Sequence, residues 1–217
     1  MKKELNKTGV TLVEILVVVA VIAILVSMVI GIAARIDTQG KQRLTKSTLS
    51  LLDAALGEFS DYEYTYPDTP SFAGLKYPLD CNGLNTANFE NELGAALGAT
   101  VSISSGTHDT GYSGCEVMYF FLNRVPESRQ ILDKIDKSLI TGKDENQQDM
   151  TVTVGGQVYP LFRVIDPWGK TLWYSYYNNT NEGSTSEPAR ASPRTTPLVI
   201  SLGPDKEFGT DDDIVSE

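Results

Sequence analysis

With 217 residues and a formal net charge of −10, the chain has room for one soluble domain with a real core and one further segment. The charge excludes an ordinary nucleic-acid binder, because phosphate contacts need a basic face and none is apparent. No Gly-rich phosphate loop, G-x-S-x-G or H-E-x-x-H is present, and the single histidine, His108, lies in a Gly/Ser/Thr-rich loop with no group to orient it. The sequence therefore points to a protein that is not an enzyme.

The first nine residues, MKKELNKTG, form a short basic leader carrying +2, which leaves −12 on the rest of the chain. Residues 10–34 follow with 25 residues, one charge and no proline, long enough to cross a ~30 Å bilayer as a helix. Gly31-Ile32-Ala33 imitates the cleavage site of a secretory signal peptide, but such a peptide has a shorter apolar core and no use for Glu14. A carboxylate in a membrane helix costs about 2.5–3.5 kcal/mol, so Glu14 requires a partner or a function. A cut after Gly9 supplies one. Val10 would become a free α-ammonium and Glu14 the fifth residue, and the two would pair between adjacent subunits inside an apolar bundle. Such a buried ion pair sets register rather than gross stability.

Gly9-Val10-Thr11-Leu12-Val13-Glu14 resembles the processing signal of type IV prepilins and type II secretion pseudopilins. That pattern is a basic leader, a glycine, usually a phenylalanine, then T-L-x-E and an apolar run; Val10 departs from it. The resemblance implies cleavage after Gly9 and N-methylation of Val10 by a prepilin peptidase. It also gives Glu14 the role of the family's fifth-residue glutamate in filament assembly.

Residues 35–59 extend the helix. Leu44, Thr48, Leu51, Leu52, Ala55, Leu56 and Phe59 fall near i, i+3, i+4 spacing and predict an amphipathic segment running into a head. Gly31 and Gly40 weaken its middle by roughly 1 kcal/mol each relative to alanine. Residues 60–150 are the least informative. Tyr62, Tyr64 and Tyr66 with Pro67 and Pro70 predict an irregular exit from the helix. A short helix is expected at about 86–98, capped by Asn85 or Thr86, with Phe89, Leu93, Ala96 and Leu97 on one face. Another is expected at about 126–140, opened by Pro126, with Ile131, Ile135 and Leu139 inward.

Strands are predicted at Thr151–Val154, Val158–Ile165, Thr171–Tyr177 and Leu198–Leu202, with Gly155-Gly156 as a tight hairpin turn. Residues 178–197 read as a polar, proline-rich loop. Cys81 and Cys115 have no zinc spacing; in an oxidising compartment they would close a loop worth roughly 3–4 kcal/mol, and otherwise they are two buried thiols.

Residues 201–214 crowd four aspartates and a glutamate around two glycines and a proline. Such charges repel unless a hard cation takes them up with backbone carbonyls. The spacing is not that of an EF-hand. The segment resembles the C-terminal calcium loop of major pseudopilins, S-L-G-A-D-G…D-I, and Asp166-Pro167-Trp168-Gly169 resembles the family's D-P-W-G-x-x-Y segment. By that resemblance Asp205 and one or more of Asp211, Asp212 and Asp213 bind Ca²⁺ with help from the Leu202 carbonyl. Asp166 itself reads as a turn carboxylate that caps backbone amides, with its tryptophan packed in the core.

The expected fold is α+β, the pilin fold: a long N-terminal helix packed on a small antiparallel β-sheet head. The expected segments are the leader at 1–9, an assembly helix at 10–34, its amphipathic continuation at 35–59, a variable αβ region at 60–150, and the sheet with its calcium loop at 151–217. The resemblance implies a single-pass bacterial inner-membrane protein with a periplasmic or filament-borne head. Its partners would be copies of itself in a helical homopolymer, other pseudopilins, the prepilin peptidase and an inner-membrane assembly platform. A type IV pilin serving adhesion, motility or DNA uptake is the alternative, as is an anchored calcium-binding protein that never polymerises.

Overall fold

The computed structural model describes residues 12–62, 75–106, 113–144, 146–176 and 196–216, with the side chains of 28–35 excepted. One helix, α1 (Leu12–Asp61), crosses two compact units that divide at Lys41/Gln42. It continues without a break over Gly31 and Gly40; next to the latter, Asp37 and Lys41 form an i,i+4 ion pair of 3.1 Å.

From Gln42 onward α1 buries one face. Thr45, Thr48, Leu49, Leu52, Ala55, Leu56 and Phe59 are buried, at the helical spacing the sequence foretold. Leu44 and Leu51 sit at the margin of that stripe, with Leu44 38% exposed; Thr45 and Leu49 take the inward places beside Thr48 and Leu52.

The head adds α2 (Thr86–Leu97), β1 (Val101–Ser105), α3 (Ser113–Leu122), α4 (Pro126–Leu132), β2 (Ile140–Thr141), β3 (Thr151–Val154), β4 (Gln157–Pro160), β5 (Arg163–Val164), β6 (Trp173–Ser175), β7 (Leu198–Ser201) and β8 (Ile214–Val215). Helix α2 has the expected cap, since Asn85 Oδ1 accepts from the Asn88 amide at 2.9 Å, and it buries Phe89, Leu93 and Leu97.

The second expected helix is shorter than its periodicity implied. α4 stops at Leu132, and Asp136 Oδ1 accepts from the Ser138 amide to cap a 3₁₀ turn at Lys137–Leu139. Ile135 and Leu139 still point inward, because turns of three to four residues preserve that spacing.

Among the described residues, three small antiparallel sheets stand where a single sheet was expected: β1-β3-β4, β2-β5 and β6-β7-β8. The segment Val158–Ile165 is not one strand. Pro160 ends β4 opposite Thr151, Leu161 turns into the core, and β5 then pairs with β2 rather than β3. The hairpin β3-β4 turns on Gly155 and Gly156, whose φ of 57° and 87° match the left-handed pair that a two-residue turn needs.

Helix α3 lies at the centre, with all ten of its residues buried. Phe121 meets Phe59 of α1 edge-on at 6.1 Å, and the Ser128 hydroxyl of α4 donates to the Ala55 carbonyl at 2.8 Å. Asn82 joins α3 to β6: its Nδ2 donates to the Tyr174 carbonyl at 2.5 Å and its Oδ1 accepts from the Gly114 amide at 3.0 Å. Gly114 permits this approach, since a Cβ there would lie 2.7 Å from Asn82 Nδ2. The result is an α+β arrangement consistent with the pilin fold.

Candidate functional site

Two regions hold the residues that the sequence singled out. In the first, Gly9 and Val10 lie outside the described residues, and Glu14 stands in the first turn of α1, where a carboxylate complements the partial positive charge of a helix N-terminus. Beyond it, every large apolar side chain from Leu12 to Val26 is at least half exposed, from 80% at Leu12 to 50% at Val26. They cover the helix on all sides, so this segment has no polar face to give to water. No helix among the described residues is long and apolar enough to cross a membrane; within the apolar run 10–34, side chains are described for 12–27.

Residues 5–30 match the family model of the prokaryotic N-terminal methylation motif. The N-terminus therefore carries a type IV pilin-like signal. No curated protein and no solved structure matches the chain. The matched motif takes in the second half of the leader, Gly9, Glu14 and most of the apolar run, and it includes the exposed side chains of Leu12–Val26.

The second region is the loop 202–213, whose ends are tied by the pairing of Ser201 with Ile214. Within it, three of the four aspartates accept hydrogen bonds from the loop itself. Asp205 Oδ1 accepts from the Glu207 amide at 2.9 Å, and Asp213 Oδ2 accepts from the Gly209 amide at 2.8 Å. Asp212 binds with both oxygens, Oδ1 from the Thr210 hydroxyl at 2.6 Å and Oδ2 from the Asp205 amide at 3.2 Å. The Thr210 hydroxyl first, and then the Asp205 amide, hold the Asp212 carboxyl below its ordinary value. Asp211 is exposed and takes no hydrogen bond from the described residues. The loop also needs left-handed backbone at Gly203, Lys206 and Gly209, and a Cβ on Gly203 would run into the Asp212 carbonyl.

Among the described residues no three His, Cys, Asp or Glu side chains are grouped to hold a metal ion. Within this loop one atom nevertheless asks for a partner: Asp213 Oδ1 is buried and accepts no hydrogen bond from the described residues. A buried carboxylate oxygen without a donor is costly, and a cation is a partner that would satisfy it. The donor set fits a hard cation taken up by a few carboxylates with carbonyls and water, not by a preformed carboxylate cage. A groove of about 590 Å³ beside this loop is lined by Lys46, Ser50 and Asp53 of α1 and by Asp211, Asp212 and Asp213.

Asp166 is the turn residue the sequence implied. Its Oδ1 accepts from the amides of Trp168 at 3.0 Å and Lys170 at 2.9 Å, and its Oδ2 accepts from the Ser201 hydroxyl at 2.8 Å. The turn is thereby joined to the last residue of β7, where the acidic loop begins. Sequence reasoning missed this link, because nothing in the spacing pairs residues 35 apart.

Cys81 and Cys115 are two free, buried thiols and not a disulfide. Cys115 sulfur is engaged by β5: it accepts from the Val164 amide at 3.4 Å and donates to the Val164 carbonyl at 3.8 Å. Burial pushes the Cys115 thiol up to about 12, and burial reinforced by Asp80 and Glu92 pushes the Cys81 thiol higher still. His108 lies outside the described residues.

Proposed function

We propose that this chain is a structural subunit of a type II secretion pseudopilus, cleaved after Gly9, methylated on Val10 and polymerised through α1. The observation that carries the reading is the methylation motif at residues 5–30, continuous with a helix whose Leu12–Val26 side chains are exposed on every side. Leaving so much apolar surface in water is costly at roughly 25 cal/mol per Å², and lipid before assembly and neighbouring α1 helices after it both remove that cost. In this reading residues 10–34 anchor the subunit in the bacterial inner membrane and the head is periplasmic. Glu14 pairs with the Val10 ammonium of an adjacent subunit. Its partners are copies of itself, other pseudopilins, the prepilin peptidase and the inner-membrane assembly platform. The role is mechanical, with no catalytic step.

The secretion reading over a type IV pilus draws its support from the C-terminal loop and the Asp166 turn, which are similar to segments of major pseudopilins. Ca²⁺ is the proposed ligand of the loop, held by Asp205, Asp213 and the Leu202 carbonyl, with Asp211 beside them and Asp212 bracing the backbone. Bound there, it would offset the mutual repulsion of the aspartates and tie the loop to the end of β7.

The test is to determine the mature N-terminus by mass spectrometry and the filament yield of Glu14→Ala. The expected results are N-methyl-Val10 and loss of filaments. A start near Ala34, or wild-type filaments from E14A, would overturn the assignment.

A further inference from the structure

The acidic loop is held at its ends by β7 and β8, and at its middle by a contact that the calcium-binding residues do not explain. Phe208, at the tip, meets Trp173 of β6 edge-on, with ring centroids 5.6 Å apart and an interplanar angle of 72°. Trp173 is itself fixed, opposite Ile200 in the β6-β7 ladder. The two residues flanking Phe208 are the ones whose amides hold carboxylates: Glu207 N–H donates to Asp205 and Gly209 N–H to Asp213. Thr210, next along, donates to the Glu207 carbonyl at 3.4 Å and to Asp212 Oδ1.

We propose that Phe208, clasped on Trp173, is a positioning residue for the acidic loop, presetting Asp205 and Asp213 to receive Ca²⁺. The inference rests on the calcium reading above. A twelve-residue loop pinned only at its ends leaves its centre free to sample many conformations, and each carboxylate would have to be ordered at the moment of binding. Fastening the tip to the sheet orders the Glu207 and Gly209 amides beforehand, and these in turn select one rotamer for each aspartate. The ordering is done before the ion arrives, and affinity rises by the amount no longer lost on binding. The clasp touches no candidate ligand and works through the backbone.

The experiment uses the full-length protein in detergent. Ca²⁺ affinity is measured by titration calorimetry, and amide hydrogen exchange of residues 205–213 is followed in EGTA. Phe208→Ala should raise the Kd for Ca²⁺ about tenfold, the scale of one aromatic pair with its burial, and Phe208→Tyr should restore most of the affinity. F208A should also speed loop exchange without calcium and lower the melting temperature in EGTA by about 3–6 °C, the size of the same tenfold factor, since the clasp is formed before the ion arrives. In a Trp173→Leu background F208A should have little further effect. An F208A protein that binds Ca²⁺ as tightly as wild type, or a loss simply additive with W173L, would overturn the clasp. If wild type takes up no Ca²⁺, the calcium reading fails and the presetting role fails with it. Faster loop exchange in F208A would then show that the clasp orders the loop for some other purpose.

Discussion

Replacing Asp166 by alanine isolates the junction between the Asp-Pro-Trp-Gly turn and the acidic loop. The side chain is only 2% exposed, and it accepts three hydrogen bonds, from two backbone amides and the Ser201 hydroxyl. Hydrogen bonds to a charged group are worth about 1.5–3 kcal/mol each, but three bonds to one carboxylate are not independent. Setting the loss of the buried acceptor against some relaxation of the turn gives about 3–5 kcal/mol. For a chain of this size each kcal/mol lowers the melting temperature by roughly 2–4 °C, so Asp166→Ala should melt about 6–20 °C below wild type. Asp166→Asn keeps one carbonyl oxygen for the two amides and turns its NH₂ toward Ser201 Oγ, which can accept; it should lose only about a third as much. Differential scanning fluorimetry of the detergent-solubilised protein reads both. If D166A melts within about 2 °C of wild type, the carboxylate does not hold the turn, and the hydrogen-bond argument fails.

Calcium removal should lower the melting temperature of the wild-type protein, and an equal melting temperature in millimolar Ca²⁺ and in EGTA would remove the metal from the account. Asp212 contributes to the pH dependence with a definite sign. Its folded carboxyl titrates below the ordinary 3.8, so its share of stability is present above that value and is lost as pH falls through the lower, folded one. Acid melts of Asp212→Asn should therefore be shallower than wild type below about pH 4, and parallel curves would refute the assignment. Both thiols should resist iodoacetamide at pH 8 in the folded protein and react readily in denaturant, because burial keeps them protonated. Rapid native labelling, or a mass two units low from an intact disulfide, would contradict the free-thiol arrangement.

The features legible in the sequence were those written in local spacing. The amphipathic half of α1, the Asn85 cap, the Gly155-Gly156 hairpin and the Asp166 turn are each specified by residues a few positions apart, where helix period, side-chain reach and turn geometry act directly. Helix α3 was invisible for the opposite reason. Its sequence, SGCEVMYFFL, is buried on all sides and, past Glu116, an unbroken apolar run rich in residues that strands also favour, so neither a helical nor an alternating period emerges. Only burial between α1, α4 and the sheets makes it a helix, with Asn82 and the Cβ-free Gly114 allowing the close approach to β6.

The N-terminal signal could be read without any structure, because leader, glycine, glutamate and apolar run are a linear message, and residues 5–30 match it as such. The division of Val158–Ile165 between two sheets and the burial of the two cysteines as free thiols depended on which distant segments met. So did the work assigned to each aspartate. Composition marked residues 205–213 as acidic, but only the fold turned Asp212 inward to brace its own loop and left Asp213 Oδ1 buried without a donor. Charge and periodicity are carried by the chain itself, whereas hydrogen-bond satisfaction belongs to pairs of groups that only tertiary packing brings within reach.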